Sequence, residues 1–142
     1  MFFQSSHHAH AALGPHWRWP NFTASELACK CAGRFCGGAY WHDSGFLDRL
    51  QTLRDRVARP INVTSAHRCP QWNACVGGAP LSRHKRLAVD ISVSGHDRQR
   101  LYRLSRDVGF TGFGLARSFI HLDCRAASAV WYYSGSEHLW QT

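Results

Sequence analysis

Helical spacing first emerges clearly after Ser44, where Phe46, Leu47, Leu50, Leu53 and Val57 form one stripe and Asp48, Arg49, Arg54, Asp55 and Arg56 fill the intervening positions. Such a stripe predicts an amphipathic helix with one buried face, and Pro60 ends it. A second stripe, Leu101, Leu104 and Val108, follows Asp97, a good helix cap, and closes at Gly109. Elsewhere the period shortens to that of strands. Ile61–Ser65, Leu87–Ser92, Phe110–Leu115, Phe119–Asp123 and Val130–Tyr133 are each predicted as strands. Thr23-Ala24-Ser25-Glu26 has the spacing of a capping box and predicts a short helix near Thr23. The Cys- and Gly-rich residues 28–42 and the span His67–Pro80, with a turn at Gly77-Gly78, are predicted as loops.

Strands that are short and closely spaced near the C-terminus predict an α+β fold, a single domain with a small antiparallel sheet flanked by helices. Residues 22–133 form the expected domain, preceded by an irregular N-terminal arm (1–21) and followed by a C-terminal tail (134–142). In the arm, His7, His8 and His10 are expected to be exposed polar residues, and Trp17 and Trp19 the part that docks.

Composition narrows the function. A chain of 142 residues with 44% hydrophobic content can bury a real core. No stretch approaches the roughly 20 apolar residues of a membrane span. The start, Met1-Phe2-Phe3-Gln4, lacks the basic and apolar regions of a secretory signal. The expectation is that the protein stays in the cell that makes it, or leaves by another route such as lysis or packaging into a particle. Seventeen Lys+Arg against 9 Asp+Glu give a net charge of +8, which favours anionic partners: nucleic acid, phospholipid or bacterial wall. With no recognition helix or RNA-binding signature, no specific nucleic-acid partner is expected.

The chemistry concentrates in two segments. Ser82-Arg83-His84-Lys85-Arg86-Leu87-Ala88-Val89-Asp90 and Phe119-Ile120-His121-Leu122-Asp123 together offer two imidazoles and two carboxylates. These are ligands suited to a mononuclear zinc enzyme, which uses three protein donors and leaves a position for water. On a strand, His121 and Asp123 face one way and Ile120 and Leu122 the other. The residues alone therefore point to a zinc hydrolase.

Six cysteines add a second question. Cys29, Cys31 and Cys36 cluster, Cys69 and Cys75 belong to the loop that carries Arg68, and Cys124 follows Asp123 with the expectation that it packs in the core, away from the metal. Three uses stay open: free or buried thiols, disulfides, and a second structural metal or iron–sulfur cluster held by Cys29, Cys31, Cys36 and Cys69. The aromatics Trp131, Tyr132, Tyr133 and Trp140 suit core packing or stacking on sugar rings.

Taken in order, Val63-Thr64-Ser65-Ala66-His67-Arg68-Cys69-Pro70, Asn73, Val76-Gly77-Gly78-Ala79 and the two segments above resemble the zinc D-alanyl-D-alanine carboxypeptidases. That superfamily includes phage endolysins cutting the L-alanyl-D-glutamate bond and the hedgehog signalling domain. The resemblance implies one zinc ion on His84, Asp90 and His121, with Arg68 aimed at the scissile carbonyl. It gives Asp123 the task of orienting His121 or holding the substrate amine, and Ser82 a similar supporting task. It also implies the peptide stem of peptidoglycan as substrate, cut by a phage-type lysin or a hydrolase borne on a phage-like tail.

Two positions depart from the family pattern. The segment between His84 and Asp90 is one residue shorter than usual and lacks its central glycine, so Asp90 keeps its face only if the loss is absorbed before Leu87. Ser118 stands where many members carry the catalytic Asp or Glu, which leaves Asp123, His67 or Glu137 to take the proton. An impaired structural or wall-binding component of a phage-like particle is the alternative, and a cytosolic metal protein built on the cysteines is a third.

Overall fold

The computed structural model describes residues 1–141. Strand β1 (Phe2–Phe3) leads into helix α1 (Ser6–Leu13) and a 3-10 turn at Gly14–His16, and β2 (Tyr40–Trp41) pairs antiparallel with β1. Then come α2 (Ser44–Val57), β3 (Val63–Ser65), α3 (Pro70–Cys75), a 3-10 turn at Arg83–Lys85, β4 (Val89–Ser92) and α4 (Arg98–Asp107). Strands β5 (Gly112–Leu115), β6 (Phe119–Asp123) and β7 (Ala129–Tyr132) and the short helix α5 (Glu137–Trp140) complete the α+β chain.

The helical stripes dictate the main packing. Asp43 accepts a hydrogen bond from the Phe46 amide at 3.0 Å and opens α2, whose apolar stripe is buried from Phe46 to Val57. The helix stops at Ala58, which is left-handed (φ 54°), two residues before Pro60. Asp97 caps α4 in the same way through the Arg100 amide. The larger sheet has the order β3-β4-β6-β5-β7. Val89 lies opposite Leu122, Ile91 opposite Ile120, and Phe113 and Leu115 opposite Leu122 and Ile120, so one face is continuously apolar and belongs to the main core. The alternate positions put Asp90, His121 and Gly114 in one row on the other face.

The sheet is mixed where a purely antiparallel one was expected, because β5 and β7 run parallel. The connection explains it: β6 ends beside Gly112 and β7 starts beside Gly112, so residues 124–128 cross the end of β5 and the chain returns in β5's own direction. Residues 1–20 are also more ordered than their composition suggests. Ser5 caps α1 through the His8 amide, Ala9 and Trp19 are buried in the main core, and Trp19 Nε1 donates to Asp48 at 2.8 Å. The Thr23–Glu26 capping box forms both of its reciprocal bonds, yet the turn does not continue as a helix. Within the expected loop His67–Pro80 stands α3, started by Pro70 at its first position. The tail folds back as α5, with Trp140 buried and bonded to the Ala116 carbonyl. Cys124 is exposed and not in the core, since β6 ends at Asp123 and strand alternation stops there.

Candidate metal centre and cleft

Adjacent strands put Asp90 and His121 side by side: their Cα atoms are direct partners in the β4–β6 register. His84 reaches the same point from the 3-10 turn Arg83–Lys85, which Ser82 caps by accepting from the His84 amide at 3.2 Å. This turn takes up the shortened segment ahead of Leu87, so Asp90 keeps the face it needs. His84 Nε2 and Asp90 Oδ1 lie 3.1 Å apart, His121 Nδ1 and His84 Nε2 3.1 Å, and His121 Nδ1 and Asp90 Oδ1 3.2 Å. Donors on a tetrahedral zinc with bonds of about 2.0–2.1 Å are about 3.3 Å from one another.

Proton placement decides what this triangle wants. His84 Nδ1 is 2.7 Å from the Ala66 carbonyl, which only accepts, so that nitrogen carries the hydrogen. His121 Nε2 is 2.7 Å from Asp123 Oδ2 and carries its hydrogen for the same reason. A neutral imidazole has one N–H. With both rings neutral, the two remaining lone pairs converge with a carboxylate oxygen, three acceptors facing a common point. A cation relieves that arrangement, and carbonyl and carboxylate partners on the far ring nitrogens are the usual supports of metal-bound histidines.

The two carboxylates also make this point attractive to a proton, which competes with a cation there. Burial opposes charge on Asp90, but its hydrogen bonds to His121 and His84 hold the carboxyl well below the usual carboxylate range. Burial also disfavours a charged His121, yet Asp123 and Asp90 outweigh it and raise the ring's proton affinity. Asp123 is itself held low against burial by Arg125 and His121.

Arg68 stands beside the triangle, with NH2 3.5 Å from Asp90 Oδ2, Nε donating to Ser65 Oγ at 3.1 Å and NH1 to Asn73 Oδ1 at 3.3 Å. Arg68, Ser82, His84, Asp90 and His121 all line one open cleft of about 710 Å³. Asp123 lies behind His121, and Gly112 makes room for it: a Cβ there would come within 1.9 Å of its carboxylate.

Neither Ser118, at the position of the family's usual base, nor the replacements nominated for it line the cleft. Ser118 and Glu137 are exposed elsewhere, and His67 is buried with Nδ1 on the Arg86 carbonyl. Asp123 is occupied by His121 and by both Arg125 Nε (2.9 Å) and NH2 (2.6 Å). Among the described residues, Asp90 is therefore the one carboxylate lining this cleft.

Arg83 and Arg125 were given no role by the sequence reading, while Trp131 and Tyr133, offered there for packing or stacking, reach the cleft. Arg125 clasps Asp123 and stacks on Trp131 at 4.6 Å, and Arg83 and Tyr133 line the same cavity. Arg125's position two residues after Asp123, past the strand end, was the available signal. A family model described as Peptidase M15 matches residues 20–123, a span containing the triangle, Arg68 and Asp123. No curated protein matches the chain.

Proposed function

The chain belongs to the Peptidase M15 family, and from that premise we propose that it is a zinc peptidase hydrolysing the peptide stem of bacterial peptidoglycan, as a lysin or particle-borne wall hydrolase. The observation that carries this reading is the convergence of three metal-ligating atoms, His84 Nε2, Asp90 Oδ1 and His121 Nδ1, on the wall of an open cleft beside a fixed arginine.

In this reading His84, Asp90 and His121 hold the ion. Zinc supplies a lowered pKa, about 7, for a coordinated water and polarises a carbonyl. Arg68, braced by Ser65 and Asn73, points a guanidinium at the carbonyl oxygen and stabilises it as negative charge develops. Asp123 fixes the His121 ring and tautomer, Arg125 fixes Asp123, and Ser82 fixes the turn that carries His84. With no spare carboxylate lining the cleft, no side chain there is free to act as a base, and a proton released in hydrolysis would have to pass to solvent through the open mouth. Arg83 offers a positive charge for a stem-peptide carboxylate, while Trp131 and Tyr133 give an apolar wall. The net charge of +8 favours approach to the anionic wall.

Replacing Asp123 by asparagine is expected to lower zinc affinity at this site about 10–100-fold. The amide must turn an N–H₂ toward either His121 Nε2–H or Arg125, both donors. Competition against a chromophoric chelator measures it, and unchanged affinity would reduce Asp123 to a packing role.

The missing carboxylate base favours one further reading, a wall-binding module with the same fold and no turnover. Digestion of purified peptidoglycan followed by mass spectrometry separates the two. Released D-alanine identifies a carboxypeptidase and cleavage after L-alanine an endopeptidase. Co-sedimentation with intact sacculi and no cleaved product would establish the binding module instead.

A further inference from the structure

Away from the cleft, Cys29, Cys31, Cys36 and Cys69 bring all four Sγ atoms within 4.8 Å of one another. Cys75 and Cys124 are exposed and outside this group. Three of the four cysteines are buried, Cys31 at 1% exposure. They form a small cluster of their own with Ala39 and Trp72, separate from the main core. The segment from Cys29 to Ala39 has no helix or strand, so little else in it fixes its path.

We propose that these four cysteines hold one structural zinc ion, distinct from the His84–Asp90–His121 centre. An all-sulfur set of four selects a soft ion such as zinc or iron and excludes magnesium and calcium. Four protein donors that leave no position for water are the mark of a structural site. Cys31 and Cys36 Sγ are 3.5 Å apart. That is close to the edge of about 3.8 Å expected for sulfurs bonded at 2.3 Å to a tetrahedral ion, and well beyond the roughly 2.05 Å of a disulfide. A multi-iron cluster, with inorganic sulfide between its irons, would hold the four thiolates farther apart than one ion does.

The backbone is arranged for thiolates. The Cys69 amide donates to Cys29 Sγ at 3.3 Å and the Ala39 amide to Cys36 Sγ at 3.4 Å. Between Cys31 and Cys36 the chain turns through Ala32 (φ 57°) and Gly33 (φ 82°). A left-handed alanine persists where its surroundings impose it, and two flanking ligands on one ion do so.

The ion would also serve the cleft. Cys69 follows Arg68 directly and caps α3, which carries the Asn73 that braces Arg68. The His67 amide already bonds the Leu27 carbonyl at 3.1 Å, so the clamp joins residues 27–36 to the loop that aims the guanidinium. This assignment does not depend on peptidase activity.

Metal analysis of the full chain tests it. Wild type is expected to carry two zinc ions, and His121→Ala and Cys31→Ser one each. Cobalt loading gives a thiolate-to-metal charge-transfer band in wild type and His121→Ala that Cys31→Ser lacks. Should Cys31→Ser fail to fold, alkylation of wild type read by mass still decides: Cys75 and Cys124 react at once, the other four only after chelation. One zinc with six freely reactive thiols overturns the proposal. So does a mass lowered by disulfides, or iron found together with inorganic sulfide.

Discussion

His121→Ala is expected to lower peptide hydrolysis by at least about a thousandfold while the chain stays folded. Metal assistance contributes several kcal/mol to a transition state, and each 1.4 kcal/mol is a factor of ten. His121 supplies one of three donors, and the two that remain, His84 and Asp90, make an incomplete site. The fold survives because His121 lies on the sheet face opposite the main core, while its neighbours Ile120 and Leu122 keep their places in that core. Asp123 retains its three bonds to Arg125, and Asp90 retains the Arg68 guanidinium 3.5 Å away, so no carboxylate is left without a positive partner. Chelator should bring wild type to the same residual rate, with zinc restoring wild type and not the variant. Circular dichroism and a melting curve check the fold. Activity in a folded, zinc-depleted His121→Ala protein would sink the assignment of this centre as catalytic.

What was legible in the sequence was local. Period-two alternation gave the strands and put His121 and Asp123 on one face, and the stripe from Phe46 to Val57 gave α2. Whether Asp90 kept its face rested on where a one-residue deletion was absorbed, and the 3-10 turn Arg83–Lys85 supplied the answer. The remainder depended on contacts distant along the chain. Strand β7 runs parallel to β5 because of how 124–128 cross the sheet, and that crossing is what carries Trp131 and Tyr133 into the cleft. Cys69 joins Cys29 across forty residues of sequence, so spacing alone left the thiol, disulfide and metal readings open. The order in residues 1–20 comes from Trp19 and Ala9 entering a core built by other elements, a case of tertiary packing deciding where periodicity is weak.

Arg68→Ala is expected to lower kcat about 10²–10³-fold, the usual loss on removing one oxyanion donor, with KM changed much less. The guanidinium has two neighbours that make competing predictions. If its task is the carbonyl oxygen, the loss falls on kcat at saturating zinc and metal affinity stays near wild type. If its task is to neutralise Asp90, 3.5 Å away, zinc should bind more tightly once the positive charge is gone. Geometry favours the first. Ser65 and Asn73 fix two of the guanidinium nitrogens, a degree of bracing that a charge partner at that distance does not need but an oxyanion donor does. Arg68→Lys should therefore rescue poorly, since an ammonium cannot hold Ser65, Asn73 and a substrate oxygen in one plane. Recovery of more than about a tenth of wild-type kcat in the lysine variant would return Arg68 to simple charge compensation.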